Sequence, residues 1–213
     1  MASFHVEAGE TVFLHGASGS GKSTLLGLIA GVSKAQRGVV DVLGHPLSRL
    51  SAAKRDRLRS DAFGVIFQQF NLVPYLSLIE NVLLPCQFSP TRAARTGASP
   101  ADRNAAAVEL LSRLGLAKQA QESASVAALS VGQQQRVAAA RAIIGAPSLI
   151  IADEPTSALD ATARDTFIET LLGEAKQASV IFVSHDISLA AHFDRTVSMS
   201  QLNQAMASEL KET

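Results

Sequence analysis

Residues 11–24 read TVFLHGASGSGKST: an apolar run from Thr11 to Leu14, then His15, a loop carrying Gly16, Gly19 and Gly21, then Lys22, Ser23 and Thr24 at the head of a helical pattern. The spacing from Gly16 to Ser23 satisfies G-x-x-x-x-G-K-[ST] in a strand-to-helix setting. Glycines allow successive backbone N–H groups to turn inward around phosphate oxygens, and the following helix presents its positive end to them. Gly16, Ala17, Ser18, Gly19, Ser20, Gly21, Lys22, Ser23 and Thr24 are therefore candidate phosphate contacts. Lys22 supplies the charge for the outer phosphates, and the Ser23 hydroxyl suits Mg²⁺. The plain alternative is a flexible Gly/Ser turn, which the rest of the chain has to decide.

Three more apolar runs read as strands, at residues 65–67, 149–152 and 180–183. Most of these runs are continuous in β-branched or large apolar residues, as in strands buried on both faces of a mainly parallel sheet. Each is followed by polar chemistry: Gln68, the pair Asp153 and Glu154, and His185. In an open parallel sheet ligands bind beyond the carboxyl ends of the strands, so these residues and the glycine loop are expected in one crevice. Helical patterns cover residues 22–30, 105–114 and 137–144, and the middle of the chain is expected to be mostly helical. The stretch 87–104, QFSPTRAARTGASPADRN, is rich in Pro, Ser, Thr and Ala and is expected to be a surface loop.

Adjacent side chains at a strand end point opposite ways, so Asp153 and Glu154 cannot share one task. Asp153 is the better Mg²⁺ partner, directly or through water, and Glu154 the candidate base for an attacking water. Gln68 can touch the metal or that water, and His185 can donate to a phosphate as charge develops on it. A strand-end acid pair can also be a helix cap or a solvated turn; the glycine loop favours the catalytic reading.

Composition narrows the setting. Lysine plus arginine equals aspartate plus glutamate at 19 each, so no global field points to nucleic acid, and none is expected as a partner. Cys86 is the single cysteine and no charged-then-apolar leader precedes Val6, so a reducing cytosol is the expected compartment. The chain is 47% apolar, yet no apolar run reaches the about 18 residues that cross a bilayer.

The stretch LSVGQQQRVAAARA, residues 129–142, completes a pattern that resembles the ATP-binding subunit of ABC transporters. That family orders a phosphate loop, a Q-loop, an LSGGQ signature, a second acidic motif, a D-loop and an H-loop. This sequence supplies GASGSGKST, Gln68, LSVGQ, LIIADE, SALD at 157–160 and His185. The resemblance implies an α/β fold of P-loop NTPase type, a mainly parallel sheet with a helical subdomain. It implies a single ABC ATPase domain over 1–213, with 1–74 and 146–213 as core and 75–145 as the helical part. It implies ATP and Mg²⁺ as cofactors and a head-to-tail homodimer. In that dimer Ser130, Gly132 and Gln133 of one chain close over the γ-phosphate held by Lys22 of the other. It also implies an integral membrane permease as partner and a place on the cytoplasmic face of the cell membrane. Residues 64–85, GVIFQQFNLVPYLSLIENVLLP, look most like the ATPases of lipoprotein-release and macrolide-exporter systems. The segment after Gln68, with Phe70, Leu72, Val73 and Tyr75, either receives a partner helix or packs in the chain's own core.

Two departures from the family pattern stand out. Family members carry an amino-terminal strand with an aromatic residue that stacks on adenine, and here that strand is expected to be missing, since Phe4 and His5 lie too close to Gly16. The signature has Val131 where glycine is usual, which strains the backbone only if that position needs a positive φ. The leading expectation is an ATPase driving an exporter or a lipoprotein-extraction complex. A mechanical regulator of an extracytoplasmic enzyme and a degenerate nucleotide-binding protein are the alternatives.

Overall fold

The computed structural model describes residues 4–122 and 125–203. In chain order the elements are β1 (Thr11–His15), α1 (Lys22–Ile29), β2 (Asp41–Val42), β3 (His45–Pro46), α2 (Ala52–Ala62), β4 (Phe63–Ile66), α3 (Leu78–Phe88), α4 (Pro90–Thr96), α5 (Pro100–Arg113), α6 (Ala117–Gln121), α7 (Val131–Ile143), β5 (Leu149–Asp153), α8 (Ala161–Glu174), β6 (Ser179–Val183), β7 (Arg195–Ser198) and α9 (Met199–Leu202).

Five strands form one sheet in the order β4-β5-β6-β1-β7, and every pairing in it is parallel. Alternating side chains feed two cores. Phe13, Ile66, Ile150, Ala152, Val180 and Phe182 face the side covered by α3, α5, α7 and α8. Val12, Leu14, Phe63, Leu149, Ile151, Ile181 and Val183 face the side of α1. Burial on both faces is the reason the strands read as continuous apolar runs. Parallel pairing aligns the carboxyl ends of β1, β4, β5 and β6, so the residues after them gather along one rim. The small antiparallel pair β2–β3 stands apart from the main sheet, and among the described residues no strand precedes Thr11.

The expected surface loop at 87–104 is a correction: most of it is helix. Ser89 caps α4 and Ser99 caps α5, each followed by proline in the first turn, where the missing N–H costs nothing and the fixed φ favours helix. Arg92 of α4 is 2% exposed. Its guanidinium donates to the Phe63 carbonyl at 2.8 Å, to Ile144 at 2.9 Å and to Ala142 at 2.8 Å. It thereby stitches α4 to the end of α7 and the start of β4. Burial pushes its pKa down to about 10, so it stays cationic at neutral pH with carbonyl dipoles as its counter-charge.

Candidate active site

The glycine loop turns between β1 and α1 as its sequence requires. Gly19 and Gly21 hold φ of 78° and 96°, a region that costs any other residue energy, and Gly21 occupies the cap of α1. At Gly16 a side chain has no room: a Cβ there would lie 2.7 Å from Ser20 Oγ and 2.8 Å from Met199 Cβ. Lys22 arches back over the loop, its Nζ donating to the Gly16 carbonyl at 2.6 Å and to Ala17 at 3.2 Å. Ser20 Oγ is buried without a hydrogen-bond partner among the described residues. A buried hydroxyl left in that state is costly, and a phosphate oxygen in the loop is the acceptor it fits. Ser23 and Thr24 open α1 behind Lys22.

Asp153 ends β5 and Glu154 follows it. Asp153 is pulled toward protonation by burial and by the Glu154 carboxylate, while the Lys22 ammonium works against both. That interaction places Lys22 and Asp153 in one electrostatic neighbourhood. Glu154 has φ 47°, a left-handed conformation rare outside glycine and concentrated at functional sites. Its N–H donates to Val183 of β6 at 2.9 Å, and its Oε2 lies 2.9 Å from His185 Nδ1. The two residues read as base and donor from separate strand ends are thus in direct contact. Gln68 follows β4 at the same rim, and the segment after it turns sharply, with Phe70 and Asn71 at φ 57° and 49°.

The signature residues occupy the start of α7. Ser130 and Gln133 form a reciprocal capping box, Ser130 N–H donating to Gln133 Oε1 at 2.9 Å and Gln133 N–H to Ser130 Oγ at 3.3 Å. Gly132 lies in the first turn. No hydrogen bond joins Ser130, Gly132 or Gln133 to the glycine loop of their own chain, although all are described residues. Val131 is the first helical residue and is not among the positive-φ positions, so this backbone has no need of glycine there. Its side chain is 48% exposed.

The structure also brings in residues that sequence reasoning passed over. Arg141 of α7 donates to Asn71 O at 2.7 Å and to Phe70 O, pinning the turn after Gln68. Gln135 of α7 donates to Pro155 O at 2.7 Å. Asp160 caps α8 by accepting from Ala163 N–H at 2.9 Å, and Arg164 pairs with Asp186 beside His185. The Asp160 cap is local and lies within the SALD stretch, whereas the signals of Arg141, Gln135 and Arg164 lie in pairings between separate elements. Phe70 is buried and Leu72 packs against the core, whereas Tyr75 is 86% exposed.

The chain is similar to known proteins over most of its length. The family model described as ABC transporter matches residues 1–157. The chain is 42% identical over 192 residues to the ABC transporter ATP-binding protein YbbA of Escherichia coli, covering 89% of this chain and 80% of YbbA. It is 38% identical over 208 residues to the lipoprotein-releasing system ATP-binding protein LolD of Hydrogenovibrio crunogenus, covering 97% and 86%. Among solved structures, the dimeric post-hydrolysis state of the ATP-binding cassette MJ0796, bound to ADP and Pi, superposes with a TM-score of 0.80 at 37% identity, covering 92% of this chain and 83% of that one. A glycine cradle facing a strand-end acid pair, a capped signature helix and these relatives place the chain in the ABC transporter family, as an ATP-binding cassette.

Proposed function

We propose that the chain binds ATP with Mg²⁺ and hydrolyses it as the motor subunit of an ABC exporter or lipoprotein-extraction complex. The observation that carries this reading is the position of Glu154: left-handed, at the end of a central strand, in contact with His185 and beside an acid that senses Lys22.

Gly16 to Thr24 hold the triphosphate through backbone N–H groups, with Lys22 on the outer phosphates and the Ser20 hydroxyl finding its acceptor there. The Ser23 hydroxyl, the Gln68 amide oxygen and the Asp153 carboxylate are hard oxygen donors. Among the described residues no group of three or more His, Cys, Asp or Glu could hold a metal by itself. That is the donor set of an ion bound through one carboxylate and substrate phosphates. Bound Mg²⁺ would neutralise charge on the transferring phosphoryl group. Glu154 accepts the proton of the attacking water, with its carboxylate held by His185 Nδ1, and the other ring nitrogen of His185, Nε2, is left for the γ-phosphate.

A dimeric relative supports pairing of two copies; the pairing proposed is head to tail, with Ser130, Gly132 and Gln133 of one closing over the γ-phosphate of the other. The start of α7 is a helix N-terminus, which favours an anion. ATP then favours the closed pair because it touches both chains, and hydrolysis removes that difference. Among the described residues no helix is long and apolar enough to cross a membrane. The connection to a permease is proposed at the helical part, residues 75–145, and its approach from Gln68, where Tyr75 stands free. On this reading the chain sits on the cytoplasmic face of the membrane, held there by that permease.

Glu154→Gln tests the reading. Turnover is expected to fall about a thousandfold, while ATP binding persists and size-exclusion chromatography in ATP shows a stable dimer. Turnover near that of the unsubstituted protein would remove Glu154 as the base.

A further inference from the structure

Gln135 lies in the first half of α7 with 0% exposure, where the helix otherwise buries Val137, Ala138, Ala139 and Ala140. Its Nε2 donates to Pro155 O at 2.7 Å, and its Oε1 is buried with no hydrogen-bond partner among the described residues. A half-satisfied amide in a core is destabilising, and an apolar side chain of the same shape would fit the surroundings better. Stability therefore does not explain why an amide sits there.

Its one contact does. Pro155 follows Glu154 and has no N–H of its own, so it cannot anchor the turn by donating. The backbone bonds of Glu154 itself are its N–H to Val183 O at 2.9 Å and a long one, Ser157 N–H to Glu154 O at 3.3 Å, and its carboxylate meets His185 Nδ1 at 2.9 Å. Between them the chain must hold Glu154 at a φ that a glutamate rarely adopts,. The amide of Gln135 grips the carbonyl in the middle of this stretch.

We infer that Gln135 is a positioning residue for Glu154, fixing the Pro155 carbonyl and with it the left-handed turn that aims the carboxylate. The inference rests on the proposed role of Glu154 as base and adds a consequence to it. Gln135 stands five residues after Ser130 on the same helix, so the signature end of α7 and the base of the same chain are tied by one hydrogen bond. A displacement of α7 on docking to a second copy is then felt at Glu154.

Gln135→Met keeps the length of the side chain and removes the donor, and Gln135→Leu is a second apolar variant should the first fail to fold. Thermal unfolding, fluorescence titration with a labelled ATP and single-turnover hydrolysis are measured for each, alone and combined with Glu154→Gln. The expected result is an unfolding midpoint equal to or above that of the unsubstituted protein, ATP affinity within about twofold, and hydrolysis slower by about tenfold, the scale of a small misplacement of a catalytic group. In the Glu154→Gln background no further loss is expected, because the group being positioned is already disabled. Hydrolysis within twofold of the unsubstituted protein overturns the inference. So does a loss that tracks a lower midpoint or weaker ATP binding, or a second full loss on top of Glu154→Gln. Failure of the base reading is seen separately, as turnover that survives Glu154→Gln with Gln135 intact, and it takes this inference with it.

Discussion

Asp153 is held between opposing influences. Burial and the neighbouring Glu154 carboxylate raise its pKa, and Lys22 lowers it, with the raising influences dominant. An acid whose folded pKa lies above its unfolded value favours the folded state fully when protonated, and that advantage is lost as pH rises through the folded pKa. At neutral pH the ionised carboxylate is thus a burden on the nucleotide-free fold. Asp153→Asn removes it, so its unfolding midpoint is expected above that of the unsubstituted protein at pH 7.5. The difference should shrink as pH falls below the raised pKa and close only near the unfolded carboxyl's ordinary pKa of about 3.9, below which the aspartate is neutral in both states. Turnover in the same variant should collapse if Asp153 has its proposed role, because an amide is a poor replacement for a carboxylate toward Mg²⁺. Scanning fluorimetry across pH 4–8 without nucleotide checks the sign. The candidate site residues themselves were legible at this level because their chemistry is local: a glycine spacing, an acid pair after an apolar run, a histidine after another. Gln135 and Arg141 were not, since inside QQQRVAAARA they look like the polar face of a helix. What distinguishes them is the carbonyl each one meets, Pro155 in one case and Phe70 and Asn71 in the other.

The helices α4 and α5 show where composition misleads and position informs. Residues 87–104 have the residue types of a loop, yet each Ser-Pro pair in them is a helix start, and Asp102 completes a capping box with Ser99,. The capping pattern was present in the sequence; the frequency of Pro and Ser obscured it. Burial of Arg92 was not readable at all, because its partners are backbone carbonyls some 30 to 50 residues distant. The edge strand β7 escaped for a different reason: in RTVS only Val197 is buried, too little apolar pattern to mark a strand. Arg92→Met should expose the importance of the carbonyl clamp. It leaves the carbonyls of Phe63, Ala142 and Ile144 without their donor, each buried acceptor costing about 1–3 kcal/mol. A loss of about 3 kcal/mol or more is expected, lowering the unfolding midpoint by roughly 6–12 °C in a chain of this size. A midpoint within two degrees of the unsubstituted protein would show that other groups or water take over the clamp. The neighbouring Cys86, near Thr96 Oγ1 at 3.3 Å, offers no comparable donor.

The parallel sheet gathers the cradle, the acids and His185 on one rim, while α7 presents Ser130, Gly132 and Gln133 at its own capped end with no hydrogen bond from these three to the glycine loop. On the proposed function a second copy completes the enclosure of the triphosphate, and the symmetry of such a pair makes a sharp prediction. In a head-to-tail dimer each site takes Lys22 from one chain and the signature from the other, so two differently disabled chains can together form one intact site. Lys22→Ala disables the cradle. Ser130→Asp disables the signature without unfolding α7, because aspartate caps a helix as well as serine does but sets a negative charge where the partner's γ-phosphate belongs. Each variant alone should be inactive. Mixed in equal amounts they form heterodimers in about half of the pairs, each with one undamaged site, and turnover should return to between about a tenth and a quarter of the unsubstituted level. The recovery should depend on the total protein concentration, since it requires association, and should vanish when both substitutions are placed in the same chain. If mixing restores nothing, the signature serves its own chain or no chain, and the head-to-tail arrangement falls even though the cradle and the acids stand.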